Sequence, residues 1–431
     1  MADSRTRLFD RQTLALILLI FLTETAITVL FSLFQQYPAR LLAGEGNDQA
    51  LLLRRSTAYA GYALSAYGTA KLPGQPLCGW LADRFGPRRV LILGLLASLV
   101  VVLLMAWSPV VLLLVVTAGL YGLAVAVIWP AVYALVGESH AASDRGRILA
   151  AISAAQLAGT AGGFAAGAFA IDYGSFGLGF GLTLALDGVA LLVALSLSRA
   201  RKPAGAIVAE SSAMSPTQTG EPRQIHSWRS LISLNLLLLS SILGLISVAV
   251  ALLVPDLKAY SSSILHLRYS TFTLLLAIPA GVGVLTLLPS GTITDRLGRS
   301  LPMLVAVILW PIGILALTFT NSVPLVVLFA SLAAFAYALG LPAWSASLID
   351  ISSPGSLGLQ VGVASSVQAI GLALGPAIGG QTVLHLGTLA PFRLSAGLMI
   401  LTAAITVAYR SRTRHLYPLP RDRQVLHPLQ D

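Results

Sequence analysis

Apolar runs of about 20 residues recur twelve times along this chain, and no soluble fold accommodates that pattern. They lie near 12–34, 57–82, 89–107, 110–137, 147–171, 175–198, 230–255, 268–291, 301–320, 323–349, 358–384 and 389–409. A helix needs roughly 20 apolar residues to cross the hydrocarbon core of a bilayer. The runs are continuous, which excludes the alternating strands of a membrane β-barrel. The first is longer than the roughly 7–15-residue apolar core of a signal peptide, so it is expected to stay uncleaved. With 56% hydrophobic and 10% charged residues, the chain cannot hide its apolar surface as a soluble enzyme or nucleic-acid binder would. Its single cysteine, Cys78, allows no internal disulfide and no Cys-based metal site. The expected fold is an all-α integral membrane protein with twelve transmembrane helices.

Orientation follows from the basic residues. With the N-terminus inside, twenty of the 27 Lys and Arg fall on inner segments. Both termini are therefore expected on the cytoplasmic side of a multi-pass cell-membrane protein. The net charge of +10 then marks membrane topology rather than a nucleic-acid partner. Residues 199–228 are rich in Ala, Ser, Pro, Gly and Thr and have few large hydrophobes, as a flexible cytoplasmic linker does. They separate an N-terminal six-helix bundle (1–198) from a C-terminal one (229–409), which is followed by a basic cytoplasmic tail (410–431).

The halves repeat each other. Gly79, Asp83, Arg84, Gly86 and Arg88 follow the second span; Gly291, Asp295, Arg296, Gly298 and Arg299 follow the eighth. Pro130 precedes Glu138 by eight residues in the fourth span, and Pro342 precedes Asp350 by eight in the tenth. The fifth span carries Gln156, Gly159, Gly163 and Gly167; the eleventh carries Gln368, Gly371, Gly375 and Gly379 at identical spacing. Matched features in matched order indicate a duplicated 6+6 architecture.

On these residues the chain resembles the major facilitator superfamily of secondary transporters, over essentially its whole length. The Gly-x-x-x-Asp-Arg-x-Gly loop is that family's signature between spans 2 and 3. The run Gly371, Gly375, Pro376, Gly379, Gly380 is similar to the family's exporter motif of helix 5, although it sits in helix 11, and Phe164 stands where its helix 5 counterpart would need Pro. The resemblance implies two pseudo-symmetric six-helix bundles, with Gly79 and Gly291 at close helix approaches. It also implies a cytoplasmic gate in which Asp83 faces helix 11 and the basic residues pair with Glu138. Pro87 replaces the usual Arg, so Arg88 is expected to take its role. The repeat offers Asp295, Arg296, Arg299 and Asp350 for the same task. The competing reading is that these basic loops only set topology.

Charges inside the spans are costly and usually functional. Three stand clear of the span ends: Glu24 in helix 1, Lys71 in helix 2 and Asp187 in helix 6. Glu24 is 13 residues from Arg11 and Lys71 is 12 from Asp83, which places both roughly 18–20 Å from the inner surface. Helices 1 and 2 are neighbours in the family fold, so a Glu24–Lys71 ion pair beside the central cavity is expected. It would serve proton coupling or else hold two helices statically. Asp187 is expected to pair with a neighbour or stay protonated rather than bind substrate. Candidate cavity liners are Gln35, Tyr121, Trp129, Tyr133 and Gln156 in the first half, and Tyr337, Trp344 and Gln368 in the second. The two glutamines can equally serve as interhelical hydrogen-bond donors, and the aromatics as packing. Gly159, Gly163, Gly371, Gly375 and Pro376 are the expected helix-packing set.

The six histidines lie at span ends, in loops or in the tail, and there is no phosphate-binding loop, so neither an intramembrane enzyme nor an ATP-driven pump is expected. The chain instead suits a monomeric, proton-coupled exporter of small amphipathic or hydrophobic compounds, with no cofactor, no metal and no nucleic-acid partner, working in a lipid bilayer. The alternative is uptake or facilitated diffusion of a neutral metabolite or lipid-like solute.

Overall fold

The computed structural model describes residues 10–43, 48–139, 142–197, 233–350 and 357–413. The linker 199–228 and the tail beyond Thr413 lie outside the described residues. The first six spans are α1 (Arg11–Leu41), α2 (Gln49–Phe85), α3 (Pro87–Ala106), α4 (Val111–Val125) continued by α5 (Ile128–Ser139), α6 (Ala142–Tyr173) and α7 (Phe176–Ser196). In the second six, α8 (Leu234–Ala251) continues through a 3-10 turn at Val254–Asp256 into α9 (Leu257–Ser263), and α10 (Tyr269–Leu275) continues into α11 (Ala277–Leu297). Then come α12 (Ser300–Ala316), α13 (Val323–Asp350), α14 (Leu357–Leu386) and α15 (Ala390–Thr413). No strand occurs among the described residues.

Among the described residues, eleven helical stretches are long and apolar enough to cross a membrane, one fewer than expected. The exception is α2. Its 37 residues reach about 55 Å, ample for a span. Its apolar run, however, is diluted by Lys71, Pro73, Gln75 and Pro76. Polar residues in such a helix are tolerated where they face a cavity or another helix rather than lipid.

Local sequence sets the helix ends. Asp10 caps α1 by accepting from the Thr13 amide at 2.7 Å, and Asp48 caps α2 by accepting from Ala50 at 2.9 Å. The last glycine of each repeated loop ends its helix with a positive φ, +91° at Gly86 and +79° at Gly298, where a side chain would be strained.

The buried apolar residues form two clusters. One runs from Leu16 to Leu197; the other, apart from Ala168, runs from Leu236 to Tyr409. Lipid tails are as apolar as leucine, so the helices are held mainly by close packing and interhelical hydrogen bonds. The glycine ladders of the repeat supply that packing in both halves. A Cβ at Gly159 would sit 2.7 Å from the Phe21 carbonyl oxygen, and one at Gly167 would sit 2.8 Å from Ser32, so α6 lies directly on α1. A Cβ at Gly371 would be 2.7 Å from the Gly244 carbonyl oxygen, and one at Gly375 would be 2.7 Å from Ala251, so α14 lies on α8 in the equivalent way. Thr28 and Ser32 of α1 donate to the Gly159 and Phe164 carbonyls at 3.4 and 3.1 Å. The outer helix faces carry exposed Leu93, Leu112, Leu285 and Ile400, as lipid contact requires.

Candidate functional site

Between the two halves lies a cavity of about 430 Å³. The N-terminal half supplies Glu24, Thr28 and Phe31 from α1, Tyr67, Lys71 and Gln75 from α2, Trp129 from α5, and Gln156, Thr160 and Phe164 from α6. The C-terminal half supplies Val250 and Ala251 from α8, Val254 from the 3-10 turn, and Gln368, Ala369, Leu372 and Pro376 from α14. Polar groups are thus concentrated on one wall, and the facing wall is largely aliphatic.

The two cavity charges do not pair directly. Glu24 Oε1 accepts from the Trp129 indole N–H at 3.3 Å and from the Gln156 amide at 3.2 Å. Lys71 donates to the Tyr67 hydroxyl at 3.1 Å and sits 5.1 Å from the centre of the same ring. This corrects the expected ion pair: the charges share a cavity, but each is held by its own partners. For Lys71 that partner lies four residues away on the same helix, the separation at which helical side chains meet.

Asp187 is fully buried inside the first half. Its Oδ2 accepts from Ser98 at 2.9 Å and from Tyr121 at 3.3 Å. Tyr121 therefore serves Asp187 instead of the cavity, and its ring stacks on Tyr67 with centroids 6.3 Å apart. Trp129, Gln156 and Gln368 line the cavity. Tyr133 is 53% exposed beside Trp129, with ring centroids 5.5 Å apart, and is not among the liners. Tyr337 and Trp344 pack on each other within α13, centroids 5.8 Å apart, away from the cavity. Tyr67, Phe31, Thr28 and Thr160 are liners that the sequence reading missed.

Gln35 does not line the cavity either. It belongs to a seam that joins the halves on the side of the α1–α2 connection. Its Oε1 accepts from the Tyr269 hydroxyl at 3.0 Å and from the Lys258 amide at 3.2 Å. Asp172 accepts from the Ser270 amide at 2.8 Å, and Arg268 lies 5.4 Å from the Tyr173 ring centre. Ser65 accepts from the Ala377 amide at 2.8 Å, and Gln381 donates to Tyr62. The backbones of α2 and α14 nearly touch here: a Cβ at Gly380 would be 2.9 Å from Ala58, and Gly61 faces the Pro376 carbonyl. Pro376 thus packs α14 against α2 between the halves and also borders the cavity.

The side chains of Asp83, Glu138, Asp295 and Asp350 lie outside the described residues. Arg84 is exposed and stacks near Trp80, 5.4 Å from its ring centre. Arg88 donates to the Leu195 and Ala194 carbonyls at 2.5 and 3.5 Å, at the end of α7. Arg296 is exposed, and Arg299 stands at the N-terminal cap of α12. The close approach expected at Gly79 and Gly291 is not made in this conformation. A Cβ at Gly79 would be in ordinary contact with Pro130 at 3.9 Å, and one at Gly291 would meet nothing within 4 Å among the described residues. Among the described residues no group of three or more His, Cys, Asp or Glu side chains could hold a metal ion.

The seam can be tested by loosening it. Combining Asp172→Ala with Gln35→Ala removes three hydrogen bonds between the halves, each contributing about 0.5–1.5 kcal/mol net. In a Cys78→Ala background, a cysteine at Thr28 should then react at least about tenfold faster with an impermeant maleimide applied from the α1–α2 side, since three such bonds sum to about 1.5 kcal/mol or more and about 1.4 kcal/mol is tenfold.

Two helical halves around a shared cavity are the arrangement that secondary transporters use. The sequence profile of the Major Facilitator Superfamily matches residues 13–263 and 244–429, and the chain belongs to that family. Over 106 residues, 25% of this chain, it is 30% identical to the multidrug resistance protein B homolog of Mycobacterium tuberculosis (strain CDC 1551 / Oshkosh). The match spans only 20% of that relative's length. Among solved structures, it is similar to a D-xylose-proton symporter with a TM-score of 0.71 and 14% identity, over 92% of this chain and 97% of that one. The human organic anion transporter MFSD10 gives a TM-score of 0.60 at 19% identity, over 92% of this chain and 99% of that one. At such identities the likeness is one of fold.

Proposed function

We propose that this transporter works by alternating access and exports small amphipathic compounds across the cell membrane in exchange for protons, with both termini cytoplasmic. The observation that carries the reading is Glu24, a carboxylate 9% exposed in the cavity wall, held by Trp129 and Gln156 in the same cavity as Lys71. A titratable group at a binding cavity, with the field of a nearby opposite charge on it, is suited to trading a proton for substrate. The apolar wall of α8 and α14 suits the hydrophobic part of an amphipathic solute. The partial similarity to a multidrug resistance protein homolog supports the export direction. In this reading the seam at Gln35 and Asp172 is the outer closure. Asp83, Arg84, Arg88 and Glu138, with Asp295, Arg296, Arg299 and Asp350, would form the inner gate that closes when the seam opens.

The test is uptake into proteoliposomes across a panel of amphipathic compounds with an imposed pH gradient. At least one compound should accumulate saturably, and a protonophore should abolish the accumulation. Uptake indifferent to the gradient across the whole panel would identify a uniporter.

A further inference from the structure

The unused hydrogen-bonding capacity of Glu24 and Lys71 points to the charge pattern of the substrate. Glu24 uses one oxygen, Oε1, for both of its hydrogen bonds; Oε2 has none among the described residues. Lys71 has three N–H groups and donates one of them, to Tyr67. Both residues line the same cavity, and they do not neutralise each other by contact. The facing wall carries no charge: apart from the Gln368 amide it is the apolar surface of Val250, Ala251, Val254 and Leu372.

Electrostatics then discriminates between guests. A ligand entering this space displaces water from both charges, and a buried charge stripped of water without a partner is heavily penalised. A neutral guest supplies a counter-charge to neither group, leaving each with its neutral hydrogen-bond partners alone. A monocation compensates Glu24 and leaves Lys71 unpaired, whereas a monoanion does the reverse. Only a guest carrying both charges meets both groups and leaves the cavity neutral. We propose that the cavity takes a small zwitterion: an ammonium on Glu24 Oε2, an anionic group on Lys71, and an apolar body against the aliphatic wall. The volume of about 430 Å³ lies within the range of sites for drug-sized ligands. This proposal rests on the cavity being the transport site. It narrows the amphipathic class to molecules with paired opposite charges.

The purified full-length chain in detergent provides the test, by calorimetric titration with three matched probe sets. Phenylalanine, naphthylalanine and biphenylalanine are each compared with their methyl ester, a cation, and their N-acetyl derivative, an anion. In at least one set the zwitterion should bind tenfold or more tightly than either derivative. Glu24→Gln should shift the preference to the N-acetyl compound, and Lys71→Met should shift it to the ester. Lys71→Arg, which keeps the charge, should retain the zwitterion preference and so control for misfolding. Equal binding of zwitterion and ester, no binding in any set, or a preference that ignores both charge changes would overturn the proposal. Binding in detergent needs no gradient, so a failure of proton coupling leaves this result standing. Conversely, gradient-driven transport of compounds lacking paired charges would sink the zwitterion and keep the coupling.

Discussion

Glu24→Gln should reduce pH-gradient-driven accumulation in proteoliposomes at least a hundredfold, and any residual downhill flux should no longer respond to pH. The substitution preserves size and leaves a carbonyl oxygen that can still accept from Trp129 and Gln156. It removes the only carboxylate among the described cavity-lining residues. An amide does not titrate, so the cavity loses its means of exchanging a proton, and Lys71 is left without an opposite charge nearby. A hundredfold loss corresponds to about 2.7 kcal/mol, within the range for truncating one member of a buried hydrogen-bonded charge site. Glu24→Asp keeps a titrating group and should retain measurable driven transport. Driven accumulation by Glu24→Gln equal to that of the native chain would assign Glu24 to packing and end the coupling role.

Gly163→Leu should abolish recovery of folded protein. Any side chain at this position meets the Thr28 hydroxyl and the Thr25 backbone of α1, and the nearest backbone atoms cannot move without separating α1 from α6. Overpacking in a well-packed interior typically costs about 1–3 kcal/mol, and contact with backbone places this case at or above the upper end. Size-exclusion chromatography in detergent should show aggregate instead of a single peak. Gly162→Leu, one residue away, where an added Cβ meets nothing within 4 Å among the described residues, should behave like the native chain. Equal behaviour of the two variants would contradict the account of the glycine ladder.

Much of this was legible in the sequence because it rests on one-dimensional signals. Apolar run length gave the spans, and the repeat spacing of Gln156–Gly167 against Gln368–Gly379 gave the paired ladders. Rarity of charge gave Glu24, Lys71 and Asp187. What stayed hidden was azimuth. A helix that is apolar nearly all round carries no periodic mark of its inward face, so Tyr121 looked like a cavity residue when it points to Asp187. Gln35 and Gln156 are both amides near helix 1 and helix 5 respectively, yet one lies at the seam and the other at the cavity. Their heights and facing elements separate them, and neither is written in local sequence. Tyr67 was findable: it sits four residues before Lys71, where a helix brings an aromatic ring beneath an ammonium. The missing Glu24–Lys71 contact shows the same limit. Neighbouring helices at equal depth leave enough room for each charge to be taken by a local partner.

The most direct test of the central claim, that substrate and proton exchange at Glu24, is proton release on binding. A transported compound is added at saturation to purified protein in weakly buffered detergent solution, and the pH change is recorded with an indicator dye. Linkage requires that a ligand favouring the ionised carboxylate expel its proton, so the native chain should release up to about one proton per molecule at some pH, and Glu24→Gln should release none. Binding without release across the accessible pH range, or equal release from both proteins, would contradict the account.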